Sequence, residues 1–498
     1  MVERPRSRGT RGPAREPRRH GCLLARVRGR AGRSTVGRVA TWGSLLQSRV
    51  SRRSQVGRRA TAAAVTSALV VALACGCANT GPAAPAEAAY GAHIETNTPQ
   101  GLRAKQTVDM LNSDWPIGVP GVATLAAPPQ VNDVAFMMDR MWWDRPFTVS
   151  SIEYGAGLAT LHLLTSYGVG QDIELRTNDA GMVDRFDVTL QKPQIKNWSD
   201  IDAALTQSGA HYSYQASKIT DGACAKVAGT NVDDSLPLAS IFKLYVLLAI
   251  ADAVNAGTVG WDDPLTITKE VKAVGSAGFE DLPPGSNVSV RDAAQQMISA
   301  SDNMATDLLM ARLGTGAVER ALVHAGHHDP ASMTPFPNTH ELFSVGWGEP
   351  DLREQWKTAS RQGRERLIAQ TNTRHYVPDP TRTHTPASPY GAEWYGTATD
   401  ICRVHAALQA SAVGPATPVK DILAATPGIE LDKTEWNYIG AKGGNLPGDI
   451  AFSWYAVDRT GQAWVVSFQL NWPKFRSLTA ASWLLSIAQG AFGLIEPA

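Results

Sequence analysis

The chain is short of cysteine, short of acidic residues near its start, and without a long apolar run beyond residue 75. Each shortage excludes something. Five cysteines in 498 residues are too few for a disulfide scaffold. Cys22 lies in a basic segment and Cys75 and Cys77 flank an apolar run, so only Cys224 and Cys402 remain for a folded part. Those two can pair in an oxidising compartment, but 402 − 224 = 178 residues of separation carries no spacing signal. Phosphate loops, dinucleotide fingerprints and zinc-finger spacings are missing, so no cofactor is implied. No internal repeat occurs. With 43% hydrophobic and 19% charged residues the composition excludes a disordered, collagen-like or coiled-coil chain. At about 150 residues per domain, two or three units are expected.

The formal net charge of +1 hides an asymmetry. Residues 1–60 hold 17 of the 47 Lys+Arg, all of them Arg, against only Glu3 and Glu16. The remainder therefore carries 30 basic and 44 acidic residues, a net of −14 for residues 61–498. An acidic globular part argues against a nucleic-acid partner.

Arg52, Arg53, Arg58 and Arg59 precede the run ATAAAVTSALVVALA, which ends at Cys75. A basic flank, about 15 apolar residues and a small-residue cleavage region read as a secretory signal. The run is shorter than the roughly 20 residues of a membrane span. Small or apolar residues precede both cysteines, which fits a lipoprotein cleavage box. Cys75 is the candidate lipidation residue, with Cys77 left open beside it. Residues 1–50 have no apolar period and read as disordered, or as lying upstream of the true start, with Val50 or Val56 as alternative initiators.

After a tether rich in Ala, Pro and Gly (residues 78–100), a small α+β domain is expected over 101–195. Helical patterns cover Leu102–Leu111 and Val131–Met141. Strand-like runs cover Ala159–Tyr167, Gln171–Asn178 and Met182–Leu190, the last two joined by an Asn-Asp-Ala-Gly hairpin signal. Helices followed by a curved antiparallel sheet resemble the cone-shaped nuclear-transport-factor and ketosteroid-isomerase-like fold. A spacer or docking role is preferred there to a ligand pocket. Trp142 and Trp143 read as core of this domain.

The larger unit, 196–498, has strands near Tyr212–Ile219 and Ala223–Val227, then an apolar helix from Ser240 to a Gly257 cap. Its apolar residues lie on nearly every side, so it is expected to be buried. Helices are expected over Val290–Ala300, Met304–Leu313 and Leu478–Phe492, with strands from Ala441, over Ala451–Asp458 and over Ala463–Leu470. Strands at both ends and helices between give an α/β sandwich with one antiparallel sheet built from the two ends.

Three short motifs carry chemistry. Ser240-Ile-Phe-Lys243 puts a hydroxyl and an amine about one helical turn apart. A serine is a poor nucleophile until a neighbour takes its proton, and a desolvated lysine can be that base. Ser301-Asp302-Asn303, at a helix end, offers a hydroxyl for proton relay and an amide for a substrate. Lys442-Gly443-Gly444-Asn445 opens a predicted strand whose glycines admit close approach by a ligand or another backbone. Singly, each reads equally well as a cap or a bulge.

In this order the three motifs resemble the penicillin-binding protein and class A β-lactamase superfamily over about residues 205–498. The layout is similar to actinobacterial exported proteins, a clavulanate-pathway relative among them, that place an isomerase-like domain first. The resemblance implies a β-lactamase/transpeptidase-like sandwich in which Ser240 forms an acyl-enzyme with Lys243 as base. Ser301 relays the proton, Lys442 holds Ser301, Asn303 binds a substrate amide, and the N–H groups of Ser240 and Asn445 bind the oxyanion beside Gly444. The glutamate that activates water in class A enzymes is not evident: Pro337 occupies its nominal position and Glu341 is a weak substitute. Asn445 replaces a commoner Ser or Thr, which weakens carboxylate recognition. The segment near 345–395 reads as an insertion. His324, His327 and His328, with Asp329 beside them, read as surface histidines in a loop, and no metal site is expected.

The expectation is an exported, lipid-anchored serine hydrolase of the cell envelope acting on a β-lactam, a cell-wall peptide or an ester, and weak as a β-lactamase. The competing reading is a non-catalytic envelope lipoprotein that binds or scaffolds. The mature protein is expected to begin at Cys75 or Cys77 and to carry lipid there. Mass spectrometry of its N-terminal peptide tests this, and recovery of residues 1–49 or an unmodified cysteine overturns it.

Overall fold

The computed structural model describes residues 90–269 and 278–495. The Arg-rich segment, the apolar run, Cys75 and the tether up to residue 89 lie outside the described residues. Among the described residues no helix is long and apolar enough to cross a membrane.

Helix α1 (Pro99–Leu111) starts where Thr98 accepts the Gly101 N–H and Pro99 supplies a preset first turn. Its residues Ala104, Val108 and Leu111 recur at helical spacing and are buried. Helix α2 (Val131–Met141) buries Val134, Ala135, Met138 and Met141 in the same way. Four antiparallel strands follow in simple order: β1 (Thr148–Gly155), β2 (Leu158–Leu164), β3 (Gly170–Thr177) and β4 (Val183–Leu190). Ala159, Leu161 and Leu163 on β2 and Ile173 and Leu175 on β3 pack with the helices into one core. The sequence reading missed β1, because most of its TVSSIEYG side chains are polar and exposed, so no apolar alternation marks it.

The second sheet has five antiparallel strands. After α3 (Trp198–Gln207) come β5 (His211–Thr220) and β6 (Ala223–Thr230). A 3₁₀ turn, Ala239–Phe242, leads into α4 (Lys243–Asn255), and α5 (Val290–Ser299), α6 (Asn303–Leu313), α7 (Thr339–Trp347) and α8 (Ala398–Ser411) follow with shorter helices between. Strands β7 (Trp436–Leu446), β8 (Asp449–Asp458) and β9 (Ala463–Asn471) precede the closing helix α9 (Leu478–Gly493). The spatial order β7-β8-β9-β5-β6 joins both ends of the unit, as expected. Strand β7 begins at Trp436, so Lys442-Gly443-Gly444 lies in mid-strand and not at its opening.

The two faces of this sheet differ. Tyr214, Phe452, Trp454, Val466 and Phe468 form an apolar layer with Trp483, Leu484 and Ile487 of α9. The opposite face carries Ser213, Gln215, Ser217, Ser453, Ser467 and Gln469, all buried. Small polar residues there let α8 lie close, with His405 Nε2 2.9 Å from Ser453 Oγ. Helix α4 is buried continuously from Lys243 to Ala251, as its unbroken apolar run implies. A disulfide joins Cys224 on β6 to Cys402 on α8.

The first domain touches the second at defined groups. Buried Asp144 accepts the Ser477 backbone N–H at 2.9 Å, and the Ser477 hydroxyl as well, at the start of α9. Burial lifts its carboxyl to about 6 despite those bonds. Arg476 donates to Ser166 Oγ at 2.7 Å. Trp142 is core, donating to Ser113 O at 2.9 Å, but Trp143 is not: its ring stacks on His384, with centroids 4.3 Å apart. Adjacent tryptophans point in different directions, which residue type alone does not reveal.

The disulfide closes a 178-residue loop and pins an edge strand to the helical layer. Replacing both cysteines with serine is expected to cost about 2–5 kcal/mol. Thermal unfolding checks this, and an unchanged midpoint overturns it.

Candidate active site

Ser240 sits in the 3₁₀ turn that starts α4, held from below by the Leu238 N–H donating to Trp394 O at 2.8 Å. Ala239, just before it, has φ of 42°, in a region that non-glycine residues avoid. Packing fixes this conformation: Ala239 is fully buried. The floor is aromatic, with Phe242 stacked on Trp394 at 3.7 Å between centroids and Phe336 beside both. Ser240 itself is half-buried.

Lys243 begins the α-helix three residues on, and none of it reaches solvent. Its Nζ donates to Ser301 O at 2.6 Å and to Asn303 Oδ1 at 2.7 Å, and lies 3.2 Å from Ser301 Oγ. Lys442, equally buried, approaches the same hydroxyl from β7 at 3.0 Å and also donates to Gly443 O. One serine oxygen therefore lies between two amines.

Burial draws Lys243 down to about 7, with Asp302 and Asp307 pulling the other way. Lys442 is pushed well down by burial and then by the charge of Lys243. Two ammonium groups this close and this dry do not coexist. A neutral Lys243 has two N–H groups, which Ser301 O and Asn303 Oδ1 absorb, and one lone pair, left for a hydroxyl proton.

The Ser301 loop is strained as well, with φ of 56° at Ser301. Asp302 secures it by capping α6 through the Ala305 N–H at 2.8 Å. From the other side, β7 closes on Ser240. A Cβ on Gly444 would stand 2.3 Å from Ser240 N and 3.0 Å from Ala239 Cβ, so only glycine permits this approach. Asn445 is next on the same strand, at the outer edge of the sheet.

Lys243, Ser301, Asn303 and Lys442 are thus joined by hydrogen bonds, Gly444 approaches the backbone of Ser240, and Asn445 follows it on the strand. Glu341 serves elsewhere: it completes a capping box on α7, accepting the Asn338 N–H at 2.8 Å and Asn372 Nδ2 at 2.6 Å. Two carboxylates act on Lys243, Asp302 of the motif and then Asp307, which sequence reading missed. Asp307 lies one turn beyond Asn303 and accepts the N–H groups of Thr339 and His340 at 2.8 and 3.0 Å. Burial raises it to about 7. Its i, i+4 relation to Asn303 was the available signal.

The histidine segment divides. His324 pairs with Asp252 at 2.8 Å. His327 and His328 meet Asp400 of α8, which no sequence spacing linked to them. Both ring nitrogens of His327 are engaged, Nδ1 by the Asp329 N–H at 3.1 Å and Nε2 by Tyr395 O at 3.0 Å. Asp400 accepts the N–H groups of His328 and Thr397. This cluster ties α8 to a loop. Two grooves, of about 600 and 680 Å³, lie around Trp115 and Arg382 and include no residue of the Ser240 cluster.

Residues 196–384 match the family model described as the beta-lactamase enzyme family, and residues 94–183 match the one described as ORF 12 gene product N-terminal. No curated protein matches the chain. Among solved structures, a beta-lactamase from Sphaerobacter thermophilus is similar at 20% identity, over 60% of this chain and 100% of that one, with a TM-score of 0.42. PBP-A is similar at 17% identity, over 62% and 100%, with a TM-score of 0.39. An ancestral class A beta-lactamase is similar at 17% identity, over 60% and 100%, with a TM-score of 0.41. The larger domain has a β-lactamase-like α/β fold with an antiparallel sheet.

Keeping Lys243 neutral at pH 7 costs the fold about 4 kcal/mol relative to an exposed lysine. The folded value is below the unfolded one, so the cost is full below about pH 7 and fades as pH rises towards 10.5. Lys243→Met removes this cost and leaves two buried acceptors, Ser301 O and Asn303 Oδ1, without their donor. The midpoint of the variant relative to wild type is expected to fall as pH rises from about 7 towards 10.5, because only wild type gains stability over that range. A difference between the two midpoints that does not change with pH overturns this.

Proposed function

We propose that the chain is a serine hydrolase that forms an acyl-enzyme on an amide or ester, exported and lipid-anchored through the cysteine after its signal run. One observation carries the reading: Ser301 Oγ lies between the amines of Lys243 and Lys442, beside the turn that holds Ser240.

The chemistry follows from the groups present. Ser240 Oγ attacks the carbonyl while neutral Lys243 takes its proton. Negative charge then grows on the carbonyl oxygen, and the N–H groups of Ser240 and Asn445 at the α4–β7 contact are suited to receive it. Ser301 passes a proton to the leaving group, with the Lys442 amine donating to its oxygen, and Asn303 orients the substrate amide. Deacylation is the slow step. The Glu341 carboxylate is spent on a helix cap, and water is activated through the lone pair that neutral Lys243 keeps once its N–H groups are given to Ser301 and Asn303. Penicillin-type molecules, cell-wall peptides and simple esters are the substrate classes, and Asn445 disfavours tight carboxylate binding.

The first domain is proposed to be of the cone-shaped isomerase-like type, supported by helices packed on one face of a four-stranded antiparallel sheet. Side chains fill that face, which supports a docking role.

A fluorophosphonate and a fluorescent penicillin are expected to label the protein stably at Ser240 and to leave Ser240→Ala unlabelled, by intact mass over time. Labelling is expected to speed up with pH through about 7, since the base is the deprotonated amine. No adduct and no ester hydrolysis would move the assignment to a binding lipoprotein.

A further inference from the structure

We propose that Trp143, in the first domain, is a positioning residue for the Ser240 site. By stacking on His384 it holds the segment 384–388 against the turn that joins β7 to β8, and so sets where β7 lies over Ser240. The inference rests on the serine-hydrolase reading for its kinetic consequence, though not for its geometry.

The contact begins with three rings from three parts of the chain. Trp143 stacks on His384 at 4.3 Å with 12° between planes, and Phe475 stands edge-on to both, at 5.1 Å from Trp143 and 4.9 Å from His384. The neighbours of Trp143 are fixed: Trp142 bonds Ser113 O, and Asp144 accepts from Ser477. The indole therefore cannot follow His384 if His384 moves.

Two residues beyond His384, Pro386 meets the turn. Gly448 has φ of 91°, and a Cβ there would stand 2.7 Å from both Pro386 Cγ and Trp472 O. The Trp472 N–H donates to Gly448 O at 2.7 Å, closing the clamp from the β9 side. Asn471 Nδ2 reaches Ser388 Oγ at 3.0 Å and also donates to Asp449. On its far side the segment is tied by Trp347 Nε1 and Arg353 to Thr385. The turn thus has a rigid strap above it, and Trp143 is the part of the first domain that presses on the strap.

The turn leads straight into the site. Gly448 is four residues from Gly444, whose backbone touches Ser240, and β7 is an outer strand of its sheet with a neighbour on one side only. The strand is held along its length by β8 on one side, and at the end nearest Ser240 by this turn. A shift of about 1 Å between nucleophile and oxyanion donors can cost on the order of 100-fold in rate.

The test uses the full chain, with hydrogen exchange of the segment 443–449 and saturation kinetics of acylation by fluorescent penicillin. Trp143→Ala is expected to speed exchange there about tenfold or more while leaving 244–254 unchanged, and to lower the limiting acylation rate on the order of tenfold with little change in half-saturation. Trp143→Phe, which keeps an aromatic face, is expected to restore most of both. If Trp143→Ala does not fold, His384→Ala, which removes the other ring of the stack, is expected to show the same two effects. Exchange and limiting rate unchanged in folded variants overturn the inference. A wild-type chain that takes no label overturns the hydrolase reading instead, and exchange, which needs no substrate, still decides this one.

Discussion

Two amines withdrawn from water and held 3.2 and 3.0 Å from one serine hydroxyl cannot both carry a proton. Much of the surrounding architecture keeps them in that position. Helix α4 is apolar on all sides because Lys243 must begin it in a dry place. The Ser301 loop adopts a left-handed backbone so that its carbonyl and its hydroxyl both face Lys243. Strand β7 delivers Lys442 to the Ser301 hydroxyl and Gly444 to Ser240 in the same pass, since residues two apart on a strand share a face. Asp302 and Asp307 limit how far Lys243 falls, and both also accept N–H groups at helix starts, so the groups that tune this lysine also hold the helices around it.

The cost of this arrangement appears in the backbone. Among the described residues, four non-glycine residues have positive φ, and two of them, Ala239 and Ser301, flank the reacting groups. Such conformations cost about 1–3 kcal/mol each and persist where packing over-determines them. The aromatic stack of Phe242, Trp394 and Phe336 supplies that packing under Ser240. Asp302 and the Lys243 amine supply it around Ser301.

Sequence reading worked where the signal was local or strongly periodic. The helix over Val131–Met141 was legible because its buried residues recur at helical spacing, and the strands over Ala463–Leu470 and Ala451–Asp458 because they are short, mostly apolar runs separated by a turn signal and buried on both faces. The motif residues around Ser240 and Ser301 were legible as types and spacings. What joined them was not: nothing in Lys442 itself shows that it meets Ser301, 141 residues earlier, at 3.0 Å. The same holds for Cys224 with Cys402 and for Asp400 with His327 and His328. Strand Thr148–Gly155 was missed because its polar outer residues hide its period. Trp143 was read as core because an isolated aromatic looks apolar; its partner, His384, belongs to a segment with no motif at all.

The sheet beneath the site is closed by the last strand of the chain. Ala463–Asn471 pairs along its length with His211–Thr220, Ala463 opposite Ile219 and Asn471 opposite His211. Strand Trp436–Leu446 reaches its place beside Ser240 only through that pairing. While the chain is still being synthesised, His211–Thr220 has no partner on that side, and Ser240 lacks the glycine strand above it. Long-range pairing of this kind forms late. A growing polypeptide that already contains Ser240, Lys243 and Ser301 therefore holds these groups without their final neighbours. The cluster at the Ser301 hydroxyl is completed only once the strands from Trp436 to Asn471 have been made and have paired back to His211–Thr220.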